Sequence, residues 1–160
     1  MRMFGLPTLW SDDNQLTGDT VLLVTGKKSL KSIELKGTGF IVSQEDSVRY
    51  DQIRGKHMMG FFRGDSLYRV NVEGNGQTIY YAKEKNKETK KEELKAVNRA
   101  DCSDLHIFFK KSKIDKITFL TKPDATLFPL DKVDINELKL KDFTWRQKDR
   151  PLDMMDVFKW

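Results

Sequence analysis

The chain has 160 residues, 38% of them hydrophobic and 33% charged, with 29 basic against 24 acidic side chains and a net charge of +5. That length makes one ordinary domain, and the low apolar share predicts a thin core under much solvated surface rather than a thick, two-sided one. The charges are interleaved rather than gathered on one face, no run approaches the roughly 18 apolar residues of a membrane span, and the single cysteine excludes an internal disulfide.

From the N-terminus, Met1-Arg2-Met3-Phe4-Gly5-Leu6-Pro7 lacks a long apolar stretch. An internal repeat then begins. Asn14-Gln15-Leu16-Thr17-Gly18-Asp19 aligns without a gap on Asp51-Gln52-Ile53-Arg54-Gly55-Lys56, an offset of 37 residues. At the same offset Ile33 falls on Val70, Leu35 on Val72, and Gly37-Thr38-Gly39 on Gly74-Asn75-Gly76. Each copy reads as a hairpin. Gly18 opens a first strand with Val21 and Leu23 on one face; Gly26-Lys27-Lys28-Ser29 makes the turn; Ile33 and Leu35 alternate with polar residues in the second strand. The Gly-x-Gly that follows precedes strand-like Phe40-Ile41-Val42, so it predicts a bulge or sheet corner rather than a phosphate loop.

The second copy repeats the pattern with Met58 and Phe62, the turn Arg63-Gly64-Asp65-Ser66, then Val70 and Val72. A third, looser copy starts near Asn98, with Leu105, Ile107 and Phe109 in its first strand and Ile117 and Phe119 in its second. Between them, residues 83–95 carry almost no apolar side chain and predict an extended, mobile hairpin loop. After Pro123, Thr126-Leu127-Phe128-Pro129-Leu130 reads as a last strand, and Asp134 caps a helical turn over 135–138. A second short turn is expected over 151–158, with Trp145, Met154, Phe158 and Trp160 covering an open end of the sheet or docking on another chain. This divides the chain into a β-domain over 1–130 and a C-terminal tail over 131–160.

Nothing in the sequence asks for catalysis. His57 and His106 lie in first strands of different copies, on the face opposite Val21 and Leu23, without the further ligands a metal site needs. Cys102 occupies the slot of Gly18 and Gly55, which a requirement for a small residue explains. There is no nucleophile elbow, phosphate loop or kinase signature. No catalytic residue, metal or cofactor is therefore assigned.

The chemistry that remains belongs to the repeat: stacked hairpins extend one continuous inner face. A folded-over, unclosed sheet has an apolar trough lined by Val21, Leu23, Ile33, Leu35, Met58, Phe62, Val70, Val72, Leu105, Ile107, Phe109, Ile117 and Phe119. The same alternation fits an ordinary filled core, and the residues alone leave both open. Lys56, Arg63 and Arg69 stand where a trough's rim would meet phosphates, or are plain solvated side chains.

Several of these motifs resemble one family. Gln15-Leu16-Thr17-Gly18-Asp19-Thr20-Val21, its echo Gln52-Ile53-Arg54-Gly55, and Val72-Glu73-Gly74-Asn75-Gly76-Gln77-Thr78-Ile79-Tyr80-Tyr81 look like the OstA-like (organic solvent tolerance) lipopolysaccharide-transport proteins. Residues 117–130 look like the C-terminal part of the longer members, so the resemblance runs over about residues 8–130. It implies an all-β, antiparallel jellyroll of the open "β-taco" kind and a place in the periplasm of a Gram-negative cell. It implies lipid A acyl chains riding in the trough residues above, and partner transport domains, or further copies, joined through the sheet edges. Neither nucleic acid nor a transmembrane segment is implied, and the family brings no catalytic residues. Because the chain starts within a hairpin unit and family members begin with a leader, a leaderless C-terminal fragment is expected. The alternative is a structural interaction module that assembles edge to edge without carrying lipid.

Overall fold

The alternating segments become strands, and every neighbouring pair is antiparallel. The computed structural model describes residues 1–153, 155 and 156. Among them ten strands form one sheet: β1 (Arg2–Phe4), β2 (Thr8–Ser11), β3 (Asn14–Thr17), β4 (Thr20–Thr25), β5 (Leu30–Gln44), β6 (Tyr50–Arg63), β7 (Ser66–Lys85), β8 (Glu92–Lys110), β9 (Lys113–Phe119) and β10 (Asp124–Pro129). The order is β1-β4-β5-β6-β7-β8-β10; β3 also pairs β5 and carries β2, while β9 pairs β8. Its outermost strands, β1 and β2 on one side and β9 and β10 on the other, do not pair with each other, so the sheet stays open.

The expected glycine corners divide this sheet in two. Register breaks at Lys36/Gly39, Arg54/His57 and Glu73/Gly76, and the gaps between β3 and β4 and between β9 and β10 continue the line. Glycine is required at two of these points by close approach. Gly37 has φ +89°, and the Asp19 carboxylate fills the place of a Cβ; a Cβ at Gly55 would strike a Val72 methyl. The strands continue through the corner, so β5 to β8 each contribute to both walls. The first wall holds β1, β4, residues 30–36, 57–63, 66–73 and 104–110, and β9. The second holds β2, β3, residues 39–44, 50–55, 76–85 and 92–102, and β10. Folding over along the corner sets the walls face to face, the arrangement expected of an open β-taco.

Two apolar clusters result. One lies between the walls and combines Val21, Leu35, Met58, Val72 and Leu105 of the first with Leu16, Ile41 and Ile53 of the second. The other lies on the outer side of the second wall, where Phe40, Val42, Ile79, Tyr81 and Val97 meet Leu138, Leu140, Phe143 and Trp145 of the tail. The second wall is therefore buried on both faces, unlike the thin, one-sided core expected from composition. The consecutive apolar run Phe40-Ile41-Val42 supplies both faces at once.

Two repeat-equivalent glutamines hold the tail. Gln15 donates to the Thr144 carbonyl (2.8 Å) and accepts from the Arg146 amide (2.7 Å); Gln52 donates to the Leu138 carbonyl (2.9 Å) and accepts from the Leu140 amide (2.8 Å). Each side chain thus replaces a strand's pair of backbone hydrogen bonds. Trp145 lies edge-on to Trp10 at 5.1 Å and near Tyr50 at 5.3 Å, on the sheet's outer face rather than at an open end. Asp134 accepts from the Asn136 amide at the start of the short 3-10 turn Ile135–Glu137, as its capping role requires. Of the other tail residues singled out in the sequence, Met154, Phe158 and Trp160 lie outside the described residues. Residues 83–95 form the end of the β7–β8 hairpin, where the Asn86 side chain accepts from the amides of Glu88 and Thr89.

Candidate functional site: the space between the walls

Backbone register converts the trough residues into two cross-strand rows. Val21, Leu35, Met58, Val72, Leu105 and Phe119 stand side by side from β4 to β9, with Met3 of β1 at one end. Leu23, Ile33, Val70, Ile107 and Ile117 form the next row, completed by Gly60. Farther from the corner lie Phe62 and Phe109. All thirteen trough residues therefore share the inward face of the first wall. Val21, Ile33, Leu35, Met58, Val70, Val72, Leu105, Ile107 and Phe109 are buried, at most 8% exposed; Leu23, Phe62, Ile117 and Phe119 are half-buried. The interior is filled by the protein's own side chains, and it runs from one sheet edge to the other.

The facing wall was not recognised in the sequence. Its inward row nearest the corner is Leu9, Leu16, Ile41, Ile53, Thr78, Ala100 and Ala125. The next is polar: Ser11, Asn14, Ser43 and Asp51. Its strands do not alternate cleanly in the sequence, because Phe40-Ile41-Val42 and Ile79-Tyr80-Tyr81 carry apolar side chains on both faces.

Asp51 is the electrostatic exception of this interior. Burial and the neighbouring Glu45 carboxylate push its acid well above the usual aspartate range, although the Tyr81 amide donates to it at 2.8 Å. Lys83 forms an ion pair with Glu45 beside it. A cleft of about 490 Å³ opens here, lined by Tyr80, Lys83, Lys110, Lys111, Lys113 and Ile114 with Glu92 and Asp115. Lys113 also donates to the Gln44 carbonyl at 2.5 Å, and Ser112 to Asp12 at 2.7 Å, tying the β8–β9 turn to the other wall.

The polar residues weighed for chemistry lie elsewhere. His57 is on the outer face, its Nε2 2.7 Å from Glu34 Oε1 and its Nδ1 3.3 Å from Glu73 Oε2; His106, also outward, is opposite Asn71 and Thr118. Cys102 is a corner residue with its sulfur 2.9 Å from Thr121 Oγ1, so neither histidine partners it. Arg69 stacks over Phe61 and Arg63 over Tyr68. Among the described residues no cluster of three His, Cys, Asp or Glu side chains is placed to hold a metal, and no helix is long and apolar enough to cross a membrane. A larger cleft of about 660 Å³, lined by Leu6, Pro7, Leu9, Trp10, Arg146 and Pro151 among others, lies between the β1–β2 connection and the tail, apart from the thirteen trough residues.

These features define the class: an antiparallel jellyroll, unclosed and folded over, with apolar rows lining the fold. No family model matches the sequence, and no curated protein does. A solved structure does match: that of LptH from Pseudomonas aeruginosa, described as the LptA-homologous periplasmic component of the conserved lipopolysaccharide transport device. It aligns with a TM-score of 0.55 and 12% identity over 80% of this chain and 83% of its own. At that identity the likeness is one of fold, and it is the fold that the OstA-like resemblance implied.

Proposed function

We propose that the chain is a non-enzymatic lipopolysaccharide-transport module of the periplasm, which holds acyl chains between its two walls and passes them along the fold. The observation that carries this is the pair of apolar rows crossing the first wall from β4 to β9, the one nearer the corner continuous and reaching Met3 of β1. The shared fold with a lipopolysaccharide-transport component supports it. Each acyl CH₂ taken from water is worth about 0.8 kcal/mol, so a few carbons suffice for reversible holding. Because the interior is filled, a chain enters by parting the walls at the corner, where the register breaks place the bends. Lys110 and Lys111, exposed at the cleft beside Ile114, supply cations for lipid phosphates. The unpaired edges at β1, β2, β9 and β10 are where neighbouring transport domains or further copies add strands.

The filled interior favours a second reading: a structural module that assembles through those edges without lipid. A photocrosslinker distinguishes them. Placed at half-buried Phe62 or Ile117, it captures lipopolysaccharide on the carrier reading, while at exposed Lys87 it does not. Equal capture at all three positions, or none, contradicts an interior site.

A further inference from the structure

The two walls present different chemistry to the space between them. The first offers apolar rows, whereas the second sets Ser11, Asn14, Ser43 and Asp51 in one row across four adjacent strands, with Thr78 a row nearer the corner. Asn14 and Thr78 are 0% exposed and Ser43 1%. Some polar atoms in this patch are satisfied: Asn14 Nδ2 donates to the carbonyls of Ser11 (3.2 Å) and Ser112 (3.1 Å). Four are not: Ser11 Oγ, Asn14 Oδ1, Ser43 Oγ and Thr78 Oγ1 have no hydrogen-bond partner among the described residues. A buried, unpaired polar group costs about 1–3 kcal/mol, and native cores hold few. Alanine or valine would pack these positions without that cost, so core packing alone does not select a cluster of them aimed at an apolar wall.

We propose that this patch is a recognition site for neutral hydrogen-bonding groups borne on acyl chains, and that it makes the interior selective for hydroxylated chains over plain hydrocarbon. The proposal rests on the carrier reading above. A chain hydroxyl donates to Asn14 Oδ1 and accepts from Ser43 Oγ or Thr78 Oγ1, which gives those atoms partners. Lys83, next to the patch, is paired with Glu45, so what the patch offers is hydrogen bonding rather than charge. The polar patch then fixes how far a chain slides, while the apolar rows supply affinity without register.

Calorimetric titration of the full chain with palmitate and with 3-hydroxypalmitate tests this. The native protein binds the hydroxy acid more tightly by about fivefold, the worth of one net hydrogen bond. Thr78→Val and Ser43→Ala each reduce that preference, read as the ratio of the two affinities within each variant, and melt no lower than the native protein because each removes an unpaired group. Equal affinity for the two acids in the native protein, or a preference surviving both substitutions, overturns the proposal and leaves the carrier reading standing. Melting of both variants well below the native protein shows the hydroxyls to be structural and also overturns it. Binding of neither acid overturns the carrier reading, and the selectivity with it.

Discussion

At the scale of single residues, the interior's second wall is where buried polar groups bear on stability. Asp51 is buried at 1% exposure, and its acid is pushed above the ordinary range by that burial first and by Glu45 second. A folded-state value above the unfolded one means that the folded protein keeps this proton longer. The stabilising proton is fully present below the ordinary aspartate range and is lost as pH rises toward the elevated folded value. Asp51→Asn retains an oxygen to accept from the Tyr81 amide and adds a donor for Glu45. Thermal melts from pH 4 to pH 8 should show the variant close to the native protein at the acid end and more stable at the alkaline end. A parallel pair of curves contradicts this account of Asp51. By the same logic Cys102 needs no activation to explain its place, because its thiol sits among the Asp104 and Thr121 oxygens at the corner.

At the scale of elements, the tail and the glutamines form a unit. Gln15 and Gln52 are equivalent under the 37-residue repeat, point away from the interior, and each make two hydrogen bonds to tail backbone. Replacing either by alanine leaves tail backbone groups unpaired over an apolar face, at a cost of about 1–3 kcal/mol. Hydrogen exchange should accelerate at Leu140 in Gln52→Ala and at Arg146 in Gln15→Ala, each variant affecting its own segment first. Unchanged exchange at both amides would show that apolar contact alone holds the tail. The hairpins were legible in the sequence because Ile33/Leu35, Val70/Val72 and Ile117/Phe119 alternate cleanly, with one face apolar and the other solvated. The corner was legible because Gly-x-Gly recurs with no helix after it. The second wall was not, because Phe40-Ile41-Val42 and Ile79-Tyr80-Tyr81 put apolar side chains on both faces, and periodicity cannot say what covers the outer one. Nor could it be known that Gln15 and Gln52, ordinary surface residues by type, would be almost fully buried beneath the tail.

At the scale of the whole molecule, the fold is one sheet acting as two walls joined along a line of bulges. Nothing pairs the outermost strands of one wall with those of the other, so separation breaks side-chain packing and a few polar ties at the turns, such as those from Asn14 to Ser112 and from Lys113 to Gln44. The backbone ladders within each wall survive opening, and the corner absorbs the change in angle. This is how a filled interior and the proposed carrier role are compatible. The distance between the walls tests that claim most directly. Spin labels at Lys116 on the outer face of β9 and Thr126 on the outer face of β10, both exposed, sit on opposite walls at the same edge. Pulsed electron resonance should show their separation growing by about 4 Å, one layer of hydrocarbon, when lipopolysaccharide is added. A separation that stays fixed while the protein is saturated with lipopolysaccharide would contradict binding between the walls.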